Sequence, residues 1–166
     1  MMKQYSKVIA MAVIAVSLAS CKQSTKQEQT GPKTEEGGKI FPQGNKITNN
    51  NFTGTAWLQM LVNKDSIFNT SVGNVTFEPG ARTNWHYHPG GQILLITSGK
   101  GRYQEKEKPV RELHKGDVIK CAPNIVHWHG AAPDSELSHI AIGTNPDKGA
   151  VVWLQPVTDK EYNEIQ

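Results

Sequence analysis

Short apolar segments follow one another between residues 52 and 157, and clusters of Gly, Pro, Asn and Asp separate them. Segments of this kind, rich in β-branched and aromatic residues and without a long helical period between them, are typical of an antiparallel sandwich or barrel. The predicted strands cover residues 52–62, 71–77, 83–88, 92–97, 102–103, 110–113, 117–121, 126–129, 137–142 and 151–157. We expect a helical turn only after Thr158. The pattern therefore predicts an all-β domain.

The first 20 residues follow a different pattern. Lys3 and Lys7 precede an apolar run over residues 8–18, and small residues then lead to Cys21. A basic start and an apolar stretch too short to span a bilayer comfortably are the layout of a secretory signal. The tetrapeptide Leu-Ala-Ser-Cys that ends at Cys21 resembles the bacterial lipobox, in which the cysteine is lipidated. We expect a signal peptide over residues 1–20 and a lipid-anchored protein of the cell envelope; an ordinary signal peptide with an incidental cysteine is the alternative.

Residues 21–46 predict a flexible tether. They are rich in Lys, Gln, Glu, Thr and Gly, with almost no apolar side chain before Ile40, so they bury too little surface to order themselves. The folded domain is then expected over residues 47–166. Removing residues 1–20 takes away two of the 18 basic residues and none of the 15 acidic ones. The remaining charge is close to balanced, so the net charge does not indicate a nucleic-acid partner. The only membrane contact that we expect is the lipid anchor.

The segment 80–99 contains side chains that commonly bind metals. His86 and His88 are two residues apart, so on a strand both point to one face, about 6.6 Å apart along the backbone. Residues 89–91, Pro-Gly-Gly, predict a turn, and Gln92 opens the next apolar strand. The resulting hairpin carries Gln92 towards the two histidines. We therefore predict that His86, His88 and Gln92 bind one metal ion.

The spacing of the glycines and histidines in residues 80–99 resembles the first signature of the cupin superfamily, with Gln92 in the place of the usual Glu. Residues 116–127 resemble the second signature, because a glycine lies eleven residues before His127, although the residues in between fit less closely. The resemblance extends over roughly residues 40–157. It implies a conical jelly-roll β-barrel with a metal ion inside its mouth and His127 as the fourth ligand. Since His-x-His pairs are common, buried core histidines remain the alternative.

Gln92 changes the charge of the predicted centre. Three neutral imidazoles and a neutral amide leave the full divalent charge uncompensated, whereas a carboxylate would cancel part of it. Such a centre favours an anion in its open positions. Mixed nitrogen and oxygen ligands suit Mn, Fe, Co, Ni or Zn, and the family resemblance favours Mn or Fe.

Two further histidines are predicted to face the same cavity. His129 lies two residues after His127 and should project from the same face of its strand, as a proton shuttle, a substrate donor or an orienting partner. His139 is expected to project into the barrel, where an imidazole pKa of ~6.5 suits a general base. A hydrogen-bonded core histidine is the alternative for His139. The pattern does not decide whether Trp57 or Met60 lines the pocket.

Residues 52–57, 127–133 and 138–142 resemble one group of small bacterial cupins. This group includes manganese-dependent hydroxynitrile lyases with a three-His, one-Gln ligand set and cupins associated with carboxymuconolactone decarboxylase. The resemblance implies a small-molecule lyase in which His139 or His129 accepts the proton of a cyanohydrin hydroxyl, and it implies a homodimer. Two alternatives stay open: a metal-dependent dioxygenase of the quercetinase kind, and a non-catalytic cupin that binds a small ligand at the cell surface.

Overall fold

The computed structural model describes residues 39–164, so the predicted signal peptide, Cys21 and most of the predicted tether lie outside the described residues. The strands in chain order are β1 (Asn45–Lys46), β2 (Phe52–Thr53), β3 (Ala56–Val62), β4 (Thr70–Phe77), β5 (Arg82–Thr83), β6 (His86–Tyr87), β7 (Gln92–Glu105), β8 (Arg111–His114), β9 (Val118–Cys121), β10 (His127–Ala131), β11 (Leu137–Thr144) and β12 (Val152–Trp153). Helix α1 (Asp159–Asn163) follows them, where the predicted helical turn begins, whereas the 3-10 turn Pro146–Lys148 between β11 and β12 was not predicted. Within residues 39–164, no helix has the length and apolar character needed to cross a membrane.

The strands form one curled antiparallel sheet. Its order is β1-β3-β4-β11-β7-β10-β5-β2, with β8 and β9 also paired to β7, β6 paired to β10, and β12 paired to β6. Because β7 pairs with β11 and β9 through its first half and with β10 and β8 through its second half, it belongs to both walls of the barrel. This arrangement confirms the predicted all-β jelly-roll class.

The sequence pattern predicted a turn at residues 98–101 between two strands. This prediction is wrong, because β7 runs through these residues as one strand of 14 residues. Gly99 has a left-handed backbone with a φ of 75°, and a β-carbon there would collide with the backbone oxygen of Glu136. A β-carbon at Gly101 would collide with the backbone of Gly130. These glycines therefore permit close backbone approach and a bend from one wall to the other, without a chain reversal.

Three other predicted strands differ from those observed. The strand predicted over residues 83–88 is divided into β5 and β6, which both pair with β10, and His88 lies just outside β6. The strand predicted over residues 52–62 is divided into β2 and β3, which pair with opposite walls. The break lies at Gly54, whose φ of 78° is left-handed and whose neighbour Ala81 leaves no room for a β-carbon. The strand predicted over residues 151–157 is reduced to the two residues of β12. Residues 45–46, at the end of the predicted tether, form β1.

Apolar side chains fill two separate clusters. The larger cluster lies inside the barrel and includes Phe77, Leu94, Ile96, Leu113, Ile119 and Leu137. The smaller cluster lies on the outer face and contains Trp85, Val110, Trp128, Val157 and Tyr162. Because side chains alternate along a strand, Trp85 and Trp128 pack outward while their neighbours His86 and His127 point into the barrel.

Helix α1 closes the outer cluster. The Thr158 hydroxyl accepts a hydrogen bond from the Glu161 N–H at 3.2 Å, and the Glu161 carboxylate accepts one from the Thr158 N–H at 2.9 Å. The Tyr162 hydroxyl donates to a backbone oxygen of β10 at 2.7 Å. The guanidinium groups of Arg82 and Arg102 lie 4.6 and 4.7 Å from its ring centre. These contacts hold the outer face of the strands that carry the inward-facing histidines.

Candidate metal centre

Five histidines and one glutamine from four neighbouring segments converge inside the barrel. They are His86 on β6, His88 just after it, Gln92 at the start of β7, His127 and His129 on β10, and His139 on β11. Most of this group lines a cavity of about 270 Å³. All of these side chains are buried except that of His88, which is half-buried. Every predicted site residue except Cys21, which lies outside the described residues, is thus found in one place.

Backbone carbonyls fix the rings of His86 and His127. The Nδ1 of His86 donates to the backbone oxygen of Asn84 at 2.9 Å, and the Nδ1 of His127 donates to that of Ile125 at 2.8 Å. With the proton on Nδ1, each Nε2 keeps its lone pair. The two ring centres are 4.3 Å apart. Both imidazoles are therefore held in the tautomer that a metal ligand requires.

Gln92 lies beside this pair of histidines. Its Oε1 lies 3.2 Å from the Nε2 of His127, although both atoms are acceptors once the Nδ1 of His127 donates to a carbonyl. Two lone pairs at this separation repel each other unless a cation lies between them. Burial is the main cause that lowers the pKa of His86 and of His127, so both rings are neutral at pH 7. The donor set therefore fits a divalent ion.

His88 lies slightly further from the pair. Its ring centre is 5.3 Å from that of His86 and 5.8 Å from that of His127. Its buried Nε2 has no hydrogen-bond partner among residues 39–164, and an unpaired buried nitrogen of this kind is costly unless a ligand binds it. Burial, followed by the neighbouring His127, lowers the pKa of His88 to about 4. It is therefore a neutral nitrogen donor aimed at the cavity.

His129 lies within ligand distance of the same pair. One ring nitrogen from each of His86, His127 and His129 lies within 4.8 Å of the others, a spacing that would let three ligands hold one ion. From its position in the sequence His129 was expected to act as a proton shuttle, a substrate donor or an orienting partner, and not as a metal ligand. The structure thus brings five histidines together and adds His129 to the side chains that can reach a metal.

His129 and His139 form a second pair inside the barrel. Their ring centres are 4.8 Å apart, and the Nδ1 of His129 and both ring nitrogens of His139 have no hydrogen-bond partner in the described part of the chain. Burial lowers the pKa of His139 to about 4, and burial together with His139 holds the pKa of His129 well below its usual range. Both are neutral proton acceptors at pH 7, and His139 is a weaker base than the sequence argument expected.

Small residues form the wall of the cavity that runs from His139 to the mouth. On β4 and β11, His139 pairs with Val75, and the next two inward-facing pairs contain only small residues. These pairs are Ala141 with Gly73 and Gly143 with Ser71. The alternation of small residues along these two strands is visible in the sequence, but it carries this meaning only once His139 is placed inside the barrel.

Aromatic and aliphatic side chains form the opposite wall. The ring centre of Trp153 lies 4.8 Å from that of His86 and 5.5 Å from that of Phe52. Trp153 and Phe52 both line the cavity. Met60 also lines it, whereas Trp57 lies on the other face of β3. The sequence argument did not find Trp153, because nothing in its local pattern places β12 beside β6. The site is thus a polar centre at one end of an apolar pocket.

Known proteins are similar to this chain in sequence or in fold. Residues 73–143 match the family described as Cupin domain. An (R)-mandelonitrile lyase from Granulicella tundricola is 45% identical over 111 residues, which cover 67% of this chain and 85% of that protein. A cupin-like protein from Thermotoga maritima has a crystal structure that is similar with a TM-score of 0.75 at 55% identity, over 76% of this chain and 96% of that one. A cupin 2 conserved barrel domain protein from Rhodopseudomonas palustris shares the fold at 16% identity, with a TM-score of 0.56 over 70% of this chain and 77% of that one.

Proposed function

The chain belongs to the cupin family, and from this premise we propose that it is a metal-dependent lyase that cleaves the carbon–carbon bond of a cyanohydrin. In the reverse direction it would add a carbon nucleophile to an aldehyde. The observation that carries the proposal is the group of neutral ring nitrogens that lines a mainly apolar pocket, several of them buried without a partner among residues 39–164. The relative named (R)-mandelonitrile lyase, at 45% identity, supports this choice of reaction.

In this proposal His86, His88, Gln92 and His127 hold one divalent ion, Mn or Fe in preference to Zn, Ni or Co. A bound ion supplies Lewis acidity, which lowers the pKa of a substrate hydroxyl. The four side chains carry no charge of their own, so they leave the positive charge available to the developing anion. The carbonyl groups that accept from His86 and His127 keep those rings in position.

His139 accepts the proton. As it takes the hydrogen of the cyanohydrin hydroxyl, the bond to the cyanide carbon breaks and its electron pair leaves with cyanide. The carbon that carried the hydroxyl becomes the carbonyl carbon of an aldehyde. The imidazolium then returns the proton to cyanide, so HCN leaves and His139 is neutral again. His129, with its ring centre 4.8 Å away, is placed to share this proton.

The pocket selects the rest of the substrate. Phe52 and Trp153 on one side and the small residues of β4 and β11 on the other enclose an apolar space beside the histidines. A space of about 270 Å³ fits a cyanohydrin with one aryl or branched aliphatic group.

The test measures metal content and cyanohydrin cleavage on the same preparations. Residues 22–166 would be loaded with Mn²⁺ or Fe²⁺ and desalted, with metal determined by elemental analysis and mandelonitrile cleavage followed as benzaldehyde release. The H86A variant removes a proposed ligand, and the H114A variant removes an exposed histidine on β8 as a matched control. We expect one ion per chain and metal-dependent release in the wild type and in H114A, and neither in H86A.

Other outcomes would support other readings. Metal binding without cleavage, together with oxygen consumption on a flavonol, would favour the dioxygenase. Ligand retention without turnover would favour the non-catalytic cupin. No metal in the wild type after loading would contradict the ligand set itself.

We also propose that a lipid on Cys21 holds the domain at the cell envelope, on the strength of the signal pattern described above. A C21S variant should move from the membrane fraction to the soluble fraction of the exporting cell.

We further propose that the domain acts on a small molecule as a homodimer. Sedimentation of residues 22–166 should then give twice the mass of one chain, and a single-chain mass would contradict this.

A further inference from the structure

The turn over residues 89–91, which joins two of the proposed metal ligands, is held by the end of β11. The Thr144 hydroxyl donates to the backbone oxygen of Gly90 at 2.7 Å, and the Asn145 amide donates to the same oxygen at 3.2 Å. The Thr144 N–H donates to the backbone oxygen of Gly91 at 3.2 Å. Three hydrogen bonds from two consecutive residues therefore fix two consecutive peptide groups of the turn.

The contact between the turn and β11 is tight. A β-carbon at Gly90 would collide with the backbone oxygens of Thr144 and Asn145, so only glycine permits this approach. Asn145 has a left-handed backbone, with φ 45° and ψ 51°, that ends β11 and begins the 3-10 turn Pro146–Lys148. The side chain of Asn69 donates to Asp147 in that turn at 2.7 Å. The end of β11 is thus itself anchored.

The turn is held from the other side as well. The backbone oxygen of His88 accepts hydrogen bonds from the N–H groups of Gly91 and Asn124, both at 3.0 Å. At the far end of the turn, Gln92 pairs with Gly143 in the β7–β11 ladder. The separation of His88 and Gln92 therefore depends on this local network as well as on the pairing of Gln92 with Cys121 of the apolar core.

We propose that Thr144 and Asn145 are positioning residues that set the separation of His88 and Gln92 for metal binding; we call them the clasp. This inference rests on the proposed metal site. Gln92 binds through an amide oxygen, a weaker donor than the three imidazoles, so its contribution requires that its backbone be placed before the ion arrives. Loss of the clasp leaves the fold in place and loosens the turn, which weakens metal binding.

Thr70 supplies a matched control. Its hydroxyl donates to the backbone oxygen of Gly143 at 2.9 Å, which is the same kind of bond, made to the residue that precedes Thr144. This bond ends on β11 and does not reach residues 89–91, although Gly143 pairs with Gln92 in the ladder. T70V and T144V therefore each remove one threonine-to-carbonyl hydrogen bond at the end of β11, but only T144V releases the turn.

The experiment measures Mn²⁺ affinity by competition with a chelator on the full-length chain in detergent, and the urea midpoint of each metal-free variant. We expect T144V and N145G to weaken Mn²⁺ binding by about 10- to 100-fold, as changes in the groups that support metal ligands typically do. N145G keeps the left-handed backbone, since glycine adopts it freely. T144S should restore affinity to within about threefold of the wild type, because the hydroxyl is retained. T70V should match T144V in urea midpoint and the wild type in affinity.

Two results would overturn the clasp. Either T144V binds Mn²⁺ as tightly as the wild type, or T70V and T144V weaken binding equally, which shows an effect of general stability. The electron paramagnetic resonance spectrum of bound Mn²⁺ should also change in T144V and not in T70V. If the wild type itself binds no Mn²⁺, the proposed metal site fails together with the clasp, which distinguishes that failure from the failure of the clasp alone.

Discussion

His139 lies fully buried beside His129, and neither of its ring nitrogens has a hydrogen-bond partner among residues 39–164. Burial lowers its pKa to about 4, whereas a histidine in an unfolded chain has a pKa of ~6.5. The folded state therefore favours the neutral ring. Burial of neutral His139 therefore has no acid-dependent cost above ~pH 6.5. Between ~pH 6.5 and about pH 4 only the unfolded chain binds the proton, so the free energy of unfolding falls by about 3 kcal/mol.

The H139Q variant should therefore be less sensitive to acid than the wild type. Glutamine does not titrate, so the unfolding free energy of the metal-free variant should fall by about 3 kcal/mol less between about pH 7 and pH 4. Urea denaturation of both proteins across this range measures the difference. Parallel curves for the two proteins would contradict the assignment of the acid sensitivity to His139.

Gly143 should set the size of substrate that the pocket accepts. A β-carbon there would lie 2.5 Å from the hydroxyl oxygen of Ser71, a side-chain atom that can rotate away. The G143A variant should therefore fold, and its methyl group should take up space next to Gln92. We expect kcat/KM to fall about tenfold for an aryl cyanohydrin, which is the effect of one methyl group in a tight pocket.

The control for this prediction is a small aliphatic cyanohydrin, for which kcat/KM should not change. The double variant S71A/G143A removes the contact with the hydroxyl and should retain the size selectivity. Equal losses on both substrates would show that Gly143 affects the metal centre and not the pocket.

Among the elements, β7 shows what local sequence can and cannot determine. The apolar run after Gln92 and the short segment 102–103 predicted a strand on each side of residues 98–101, and both are present. A glycine-rich segment, however, is typical both of a turn and of close backbone approach. The collision partners that decide between them, the backbones of Glu136 and Gly130, are remote in sequence. The bend could therefore not be predicted from the segment alone.

The convergence of the histidines was easier to predict than the contacts that support it. Strand alternation placed His86 with His88 and His127 with His129 on common faces, because these pairs depend only on local geometry. Trp153 reaches the site through the pairing of β12 with β6, and the clasp reaches it through the end of β11. Such long-range contacts have no signature in the residues themselves.

The bend in β7 gives a test at Gly99. The G99A variant combines a left-handed backbone with a collision against the Glu136 backbone oxygen, so we expect the unfolding free energy to fall by about 3 kcal/mol or more. Gly116 is the matched control, because its φ of 96° is also left-handed but no atom lies within 4 Å of an added β-carbon. G116A should cost only about 1 kcal/mol of strain. Equal losses in urea denaturation would contradict the role of close approach at Gly99.

For the whole molecule, metal binding should appear as a gain in thermal stability. A ligand that binds only the folded state at 100 times its Kd adds about 2.7 kcal/mol. For a domain of this size we expect the unfolding midpoint to rise by about 10 °C on addition of Mn²⁺. Differential scanning calorimetry with and without a chelator measures this shift. H127A should show no shift, while H114A should match the wild type.

The path of β7 also has a consequence for biosynthesis. In the described part of the chain, its partners β8, β9, β10 and β11 all follow it in sequence. A ribosome therefore releases β7 before any strand that can pair with it. Gln92 and His127 meet only after β10 has emerged, and the hydrogen bonds from Thr144 to the turn beside Gln92 form only after β11 has followed. A nascent chain should thus be unable to retain a metal ion until nearly all of the barrel has been translated.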